Sequence, residues 1–287
     1  MKHRFPRSFR YLLAALLPLG VLVGLGGFGT VASASTQPTA AQAAVLAKAA
    51  IRQLMIGQHA TNHLVPGRSQ HQIRGLTSVQ STNWSGYADT GSSFSKVTGR
   101  WTEPSPTCSS QRESLAAFWV GIDGYSSNSV EQDGTLIECY HRTAYQYTWW
   151  EMYPTNAIQV VGSTLGAGDS ISASVVRSGT SYTLSVTDST HPANSFTTTQ
   201  SCGSCANTSA EWIAEAPSGS SGVFPLAHFS PWADAGSTVT EGSTSGVISS
   251  FTDDEITMVD SSGAVKAAPG PLNSGGNGFS VTWERAS

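Results

Sequence analysis

The chain has 287 residues, of which 39% are hydrophobic and only 12% are charged, and it contains eight tryptophans. This composition excludes an intrinsically disordered protein, and the length suits one large β domain or two small ones. Residues 1–75 hold eight of the 15 basic residues and no acidic residue, so residues 76–287 have a formal charge of −12. An acidic body of this kind argues against nucleic-acid binding.

The N-terminus has the pattern of a secretory signal peptide. Four basic residues precede an apolar run from Tyr11 to Phe28, and Ala32-Ser33-Ala34 follows as a small-x-small cleavage site. Glycine and proline interrupt the apolar run, which argues against a transmembrane anchor. The sequence predicts a signal peptide over residues 1–34, secretion to the extracellular space, and no membrane attachment after cleavage.

Residues 35–80 are predicted to form a pro-segment. The Ala-rich stretch Ala40–Met55 carries an apolar stripe and predicts a helix. A basic leader would dock on an acidic body at neutral pH and would detach as the carboxylates are protonated. A flexible linker is the alternative interpretation of the same residues.

Four cysteines in an exported chain predict disulfides. Cys202 and Cys205 lie in a Cys-Gly-Ser-Cys motif that predicts a tight closed loop, which leaves Cys108 and Cys139 to pair. Three connectivities are compatible with the sequence. A redox-active CxxC centre is an alternative for Cys202 and Cys205, although no strand-then-helix pattern surrounds them.

The body, residues 81–287, reads as one all-β domain. From Asn83 onward, short alternating runs are separated by Gly/Ser/Asn/Asp turns at the spacing of an antiparallel β-sandwich. We find no internal repeat and no linker long enough to separate two domains.

One strand carries an unusual row of side chains. By a period of two, Tyr145, Tyr147, Trp149, Glu151 and Tyr153 share one face. A carboxylate within an aromatic row is uncommon in a packed core and favours the wall of a groove that binds an extended ligand. An ordinary core face with Glu151 at its rim is the alternative.

Two further segments supply an amide and carboxylates. Gln132 follows a turn after the strand that carries Trp119 and Asp123, and Glu211 shares one face of a later strand with Glu215. Motifs for zinc peptidases, serine hydrolases, P-loops and dinucleotide binding are absent from the sequence. Asp89-Thr90-Gly91 resembles one half of an aspartic peptidase site, but no second copy exists, so we interpret it as a turn.

Taken in order, these motifs resemble those of the glutamic peptidase family, the eqolisins. The matching pieces are Asn83–Gly86, Val97–Pro104, Trp119–Gly124, Gln132 with Gly134, Trp149–Pro154, Ala210–Glu215, Phe229 and Ile256–Asp260. The resemblance implies a double-sheet β-sandwich of the lectin-like jelly-roll type with a concave substrate cleft. It also implies a catalytic pair, Gln132 and Glu211, with neither a metal nor a cofactor.

The resemblance implies cleft positions for Trp119, Asp123, Trp149 and Glu151, and the aromatic row adds Tyr147. Asp133, next to Gln132, departs from the fungal pattern and is expected to add a charge beside the site. The resulting prediction is a secreted, monomeric acid endopeptidase that acts on proteins or peptides. Two alternatives remain: a carbohydrate-binding β-sandwich without catalysis, and a jelly-roll glycoside hydrolase that uses Glu211 and Glu151.

Overall fold

The structure is a computed structural model that describes residues 70–73, 76–219 and 222–287. The predicted signal peptide, most of the predicted pro-segment and the predicted helix Ala40–Met55 lie outside the described residues. Within the described ranges, no helix has the length and hydropathy needed to cross a bilayer. The helices found there are two single 3₁₀ turns, Pro192–Asn194 and Ile248–Ser250.

The described residues form 21 strands. The first eleven are β1 (Gln70–Ile73), β2 (Leu76–Ser81), β3 (Trp84–Thr90), β4 (Phe94–Thr102), β5 (Pro106–Thr107), β6 (Ser114–Ile122), β7 (Val130–Tyr140), β8 (Thr143–Tyr153), β9 (Asn156–Val160), β10 (Ser170–Ser178) and β11 (Ser181–Asp188). The others are β12 (Phe196–Ser201), β13 (Ser209–Glu215), β14 (Ser218–Gly219), β15 (Gly222–Val223), β16 (His228–Phe229), β17 (Trp232–Glu241), β18 (Thr244–Gly246), β19 (Asp253–Val259), β20 (Val265–Pro269) and β21 (Gly278–Trp283).

Most strands belong to two sheets of a β-sandwich. The first sheet has the order β1-β2-β19-β3-β13-β6-β7-β8-β9, and the second has the order β12-β11-β10-β4-β17-β21-β20. Pairing is antiparallel throughout these sheets except between β2 and β19, and β20 joins the sheets by also pairing with β19. The predicted all-β, antiparallel fold is confirmed.

Strand β2 lies across the predicted boundary between pro-segment and body. It pairs with β19 over five residues, from Thr77 opposite Asp254 to Ser81 opposite Met258. Residues 76–80 are therefore part of the sheet, whereas the sequence assigns them to the leader. The site of any processing stays a prediction.

The centre of the first sheet, formed by β6, β7 and β13, is buried on both faces. Phe118, Val120 and Trp212 belong to the core between the sheets, whereas Trp119 and Ile213 belong to a second hydrophobic cluster on the opposite face. Every residue of β13 is buried as a consequence. Polar side chains on either face of this sheet are thus enclosed by protein.

The β7–β8 hairpin sets the register on which the site depends. Its two turn residues, His141 and Arg142, have φ values of 48° and 65°, the left-handed pair that a type I′ turn requires. The turn aligns eleven residue pairs and places Gln132 directly opposite Glu151. A slip of β8 by one residue against β7 would place Glu151 on the face opposite Gln132.

Both predicted disulfides are present, Cys108–Cys139 and Cys202–Cys205. They close loops of very different length, with sequence separations of 31 and 3 residues. In the chain-entropy account, the longer loop contributes about 4 kcal/mol to stability and the shorter one about 2 kcal/mol.

We expect the paired substitution Cys108→Ser/Cys139→Ser to lower the free energy of unfolding by about 4 kcal/mol, and Cys202→Ser/Cys205→Ser by about 2 kcal/mol. Urea unfolding of the two double variants measures the difference. A larger loss in the Cys202/Cys205 variant would contradict the entropic interpretation.

Several buried carboxyl groups lack partners. The oxygens of Asp89 and Asp133 have no hydrogen-bond partner of normal geometry among the described residues. Burial, followed by the charges of Asp253 and Glu241, raises the pKa of Asp89 to about 9, and burial raises the pKa of Asp133 well above its usual range. The native state therefore binds more protons than the unfolded chain between about pH 4 and pH 9.

The stability that these groups contribute is complete below about pH 4 and is lost as the pH rises toward 9. Thermal or urea unfolding across this range should show declining stability. Asp89→Asn should reduce the decline by about 1.4 kcal/mol per pH unit, because Asn cannot ionise.

Asp260→Asn is the control for this experiment. The hydroxyl of Ser262 lowers the pKa of Asp260, so this side chain is already ionised in both states above pH 4. An unchanged slope in Asp89→Asn, or a reduced slope in Asp260→Asn, would contradict the assignment.

Candidate active site

Gln132 is held by Glu151 on the face of the first sheet that faces away from the second sheet. Gln132 Nε2 donates a hydrogen bond of 2.8 Å to Glu151 Oε2. The other amide atom, Oε1, is buried and has no hydrogen-bond partner among the described residues. Glu151 thus orients the carboxamide and leaves one N–H and the carbonyl oxygen available to a water molecule or a substrate.

Glu151 holds its proton more tightly than an exposed glutamate. Burial raises its pKa to about 7, although the hydrogen bonds from Gln132 and from the Ile158 backbone work in the opposite direction. In acid the carboxyl group is therefore neutral, and its carbonyl oxygen can still accept from Gln132.

Glu215 is the carboxyl group electrostatically coupled to this pair. The Trp119 indole N–H donates to Glu215 Oε2 at 2.9 Å, and the ring of Trp84 meets that of Trp119 edge-on at 4.9 Å. Burial, followed by the charge of Glu151, raises the pKa of Glu215 well above its usual range, whereas polar groups of Trp119, Trp84 and Asn83 lower it. Glu215 therefore has both a fixed donor and Glu151 as an interacting neighbour.

Glu211, the predicted catalytic glutamate, lies in a different environment. It pairs with Gly121, which in turn pairs with Gln132, so the two side chains share a face about 10 Å apart. The ring of Trp119 fills the space over Gly121, with Cζ3 2.8 Å from the position that a β-carbon would occupy. The indole thus stands between Glu211 and Gln132.

The charges around Glu211 also differ from those around Glu215. Burial is the largest cause of its raised pKa, and the acidic neighbours that raise it further are Asp123, Glu131 and Asp89, without Glu151. Neither carboxyl oxygen has a hydrogen-bond partner of normal geometry among the described residues. The structure therefore associates Gln132 with Glu151 and Glu215 more closely than with Glu211.

Asp123 anchors a loop, and its carboxylate is fully engaged. It accepts hydrogen bonds from the backbone N–H groups of Asn207 and Thr208 at 2.7 and 2.9 Å, and from the hydroxyl of Ser129 at 3.3 Å. These contacts fix the chain that leads into β13. We assign Asp123 to positioning the strand that carries both glutamates, and not to substrate contact.

The predicted aromatic row does share one face, but its centre is closed. Trp149 pairs with Gly134, and Tyr147 pairs with Leu136. Tyr147 donates to Glu138 Oε2 at 3.2 Å, whereas the Trp149 indole N–H has no partner among the described residues. Both rings are at least 98% buried, so the open groove wall that the sequence predicts is covered in this structure.

Asp133 does not adjoin the site, which corrects the sequence expectation. It pairs with Val120 and Trp150 and faces the core between the sheets, on the side opposite Gln132. Its nearest polar groups are the backbones of Ser174 and Ser185 in the second sheet. Its charge state therefore bears on stability more than on the chemistry at Gln132.

Two groups of side chains in the described residues have the spacing of metal ligands, and neither lies at Gln132. In the first, Asp169 is bound to His191 at 2.9 Å and Asp188 accepts from Asn194 at 2.8 Å. The second consists of Glu131 and the disulfide-bonded Cys202 and Cys205. The existing hydrogen bonds and the disulfide already engage most of these ligand atoms.

Comparison with known proteins decides the family. The sequence model of the Peptidase A4 family matches residues 82–268. The chain belongs to this family. The glutamic peptidase predicted from the motifs is thereby confirmed at the level of family and enzyme class.

Two relatives agree with this assignment. Aspergillopepsin-2 of Aspergillus niger is 29% identical over 218 residues, which cover 66% of this chain and 77% of that protein. Scytalidopepsin B of Scytalidium lignicola is 32% identical over 171 residues, covering 56% of this chain and 64% of that protein.

The fold of this Peptidase A4 member matches solved glutamic peptidases. Scytalido-glutamic peptidase with a peptide-based transition-state analogue superposes with a TM-score of 0.60 at 24% identity, over 71% of this chain and 98% of that chain. Aspergilloglutamic peptidase from Aspergillus niger superposes with a TM-score of 0.51 at 26% identity, over 60% and 99% of the respective chains.

The indole N–H of Trp119 should contribute measurably to stability. Trp119→Phe removes the donor to a buried carboxyl group, so it should lower the free energy of unfolding by about 1–3 kcal/mol more than Trp149→Phe. The two substitutions remove the same atoms from the same face, but of the two indole N–H groups only that of Trp119 has a hydrogen-bond partner among the described residues. Equal losses in urea unfolding would show that the Trp119–Glu215 hydrogen bond is unimportant.

Proposed function

We propose that the protein is an acid endopeptidase in which Gln132 and Glu215 act on a peptide bond. The observation that carries the proposal is the Gln132 carboxamide, which Glu151 fixes through Nε2 while the buried Oε1 has no hydrogen-bond partner among the described residues. Such an orphaned acceptor costs about 1–3 kcal/mol unless a water or substrate satisfies it. Glu215, held by Trp119 and coupled to Glu151, supplies the proton-transfer group.

The chemistry follows from the two side chains. Ionised Glu215 takes a proton from a water molecule as that water attacks the scissile carbonyl carbon. The carbonyl oxygen of Gln132 accepts a hydrogen bond from the same water, and the free N–H donates to the oxyanion that develops. Glu215 then returns its proton to the leaving amine. Because Gln132 is neutral at every pH, its contribution persists in acid.

The proposal requires the site to open and admit water. Gln132 and Glu215 expose only 1% and 3% of their surface in this structure. Burial is the largest cause of the raised pKa of Glu215, so hydration of the face would lower this pKa while the donor Trp119 remains. Activity should therefore rise with pH as Glu215 ionises.

An extended peptide is the substrate that suits the adjoining surface. Trp149 and Tyr147 continue along β8 from Glu151, and the Trp149 N–H, which has no partner within the described part of the chain, can donate to a substrate carbonyl. Solved neighbours were crystallised with a peptide-based transition-state analogue and with the tripeptide Ala-Ile-His. Secretion, processing of the leader and the monomeric state remain proposals that rest on the sequence pattern.

Three isosteric or truncating variants test the assignment. Glu215→Gln should lower kcat by about 10²–10⁴, because the proton acceptor is lost. Gln132→Ala should lower kcat by about 10²–10³, because the oxyanion donor is lost. Glu211→Gln should keep kcat within about tenfold of the parent, since this residue serves neither role in the proposal.

Peptide hydrolysis at acid pH, with a chelator and an inhibitor of two-aspartate peptidases present, measures these effects. Circular dichroism confirms that each variant is folded. If Glu215→Gln is active and Glu211→Gln is inactive, the catalytic glutamate is Glu211 and the proposed assignment is wrong. Abolition of parental activity by either reagent would point to a metal or an aspartate pair.

A further inference from the structure

The Cys202–Cys205 disulfide lies beside a carboxyl group that the proposed peptidase chemistry does not use. One carboxyl oxygen of Glu131 and the two sulfur atoms all lie within 4.8 Å of one another. Both cysteines are partly exposed, and Gly203 and Ser204 between them are exposed. The cystine is therefore open to an external reagent on one side and faces a buried acid on the other.

Glu131 lies in an environment that favours its protonated form. Its side chain is fully buried on the core face, opposite Ile122 and Met152, and neither oxygen has a hydrogen-bond partner of normal geometry among the described residues. Burial, followed by the charge of Asp123, raises its pKa to about 9. Hydrogen bonding to Ser129 and the charge of Arg177 work against this shift, and Tyr182 and Glu211 also interact with Glu131.

We propose that Cys202–Cys205 is a thiol–disulfide exchange site for an external dithiol, with Glu131 as the proton donor to the departing sulfur. A thiolate leaves a disulfide more readily when a nearby acid can protonate it. A buried carboxyl group next to a Cys-x-x-Cys cystine can supply that proton.

The exchange balances in two steps. A thiolate of the dithiol attacks one cystine sulfur, the Cys202–Cys205 bond breaks, and the released sulfur takes the proton of Glu131. The second thiol of the reagent loses its proton to solvent and attacks the mixed disulfide, which releases the other cysteine as a thiolate that is protonated from solvent. The dithiol is oxidised to a disulfide, the cystine is reduced by two electrons, and Glu131 recovers its proton from water.

The second disulfide offers a contrast within the same chain. Cys139 is buried, and among the described residues no carboxyl group is clustered with Cys108 and Cys139 in the way that Glu131 is with Cys202 and Cys205. Exchange should therefore be selective for Cys202–Cys205.

Opening the cystine releases the loop that leads into β13. Asn207 accepts from the Tyr182 hydroxyl at 2.6 Å and donates through Nδ2 to the Cys205 carbonyl at 2.8 Å. The backbone N–H groups of Asn207 and Thr208 are held by Asp123. Reduction should accelerate hydrogen exchange at these two amides, which gives a readout independent of catalysis.

The test is reduction of the purified exported protein by dithiothreitol between pH 5 and pH 9.5. A chelator is included because two thiolates and a carboxylate also bind zinc. Alkylation and mass spectrometry then report each cystine separately. The parent should lose Cys202–Cys205 at least tenfold faster than Cys108–Cys139. Glu131→Gln should be reduced at least tenfold more slowly than the parent, after division by the concentration of reagent thiolate.

Asp133→Asn is the matched control, since Asp133 is a buried carboxyl on the same strand and face that, among the described residues, has no hydrogen-bond partner of normal geometry and is not clustered with the cystine. Its reduction rate should equal that of the parent. If Glu131→Gln does not fold, the pH profile of the parent protein alone tests the proposal. Its normalised rate of disulfide reduction should fall as the pH passes about 9, where Glu131 loses its proton.

Equal rates in the parent and Glu131→Gln, a flat normalised profile in the parent, or simultaneous loss of both disulfides would overturn the proposal. None of these readouts uses peptide hydrolysis. An inactive peptidase with selective, Glu131-dependent exchange would refute the proposed function alone, and the converse result would refute the exchange site alone.

Discussion

The hydrogen bond between Gln132 and Glu151 is the contact on which the site depends. It exists because the left-handed turn at His141 and Arg142 fixes the register of β7 against β8. That register turns an amide, a carboxyl group and the rings of Tyr147 and Trp149 to one face, while the alternate residues face the core between the sheets. A polar pair enclosed in this way is oriented by the backbone and not by solvent, as a preorganised site requires.

The same burial favours the protonated form of several carboxyl groups over the ionised form. Asp89, Glu131, Asp133 and Glu211 lack hydrogen-bond partners of normal geometry among the described residues, and burial is the largest cause of the raised pKa of each. In neutral water such groups oppose folding, whereas in acid they are ordinary polar side chains. The excess of acidic over basic residues in the body is thus easier to accommodate in a compact fold in acid than at neutral pH.

Much of this architecture was accessible from the sequence, and what the sequence left open has physical causes. Alternating residues in Ala117–Ile122 and Ala210–Glu215 predicted the central strands, and the motifs predicted the family. Periodicity also placed Glu211 and Glu215 on one face but could not choose between them. That choice depends on the orientation of the Trp119 ring, which packs over Gly121. The sequence also could not reveal the partners of Asp123, because Asn207 and Thr208 are more than 80 residues away along the chain.

The parallel pairing of β2 with β19 bears on how the chain is trimmed. A cut at the predicted boundary after residue 80 would remove most of β2 together with β1 and would leave β19 as the border of the sheet. The backbone groups of β19 now bonded to β2 would then face solvent as an open template for another chain to join. Maturation upstream of residue 70 would instead keep two protective strands at that border, so the location of the cut decides whether the finished protein is self-contained or prone to assemble edge to edge.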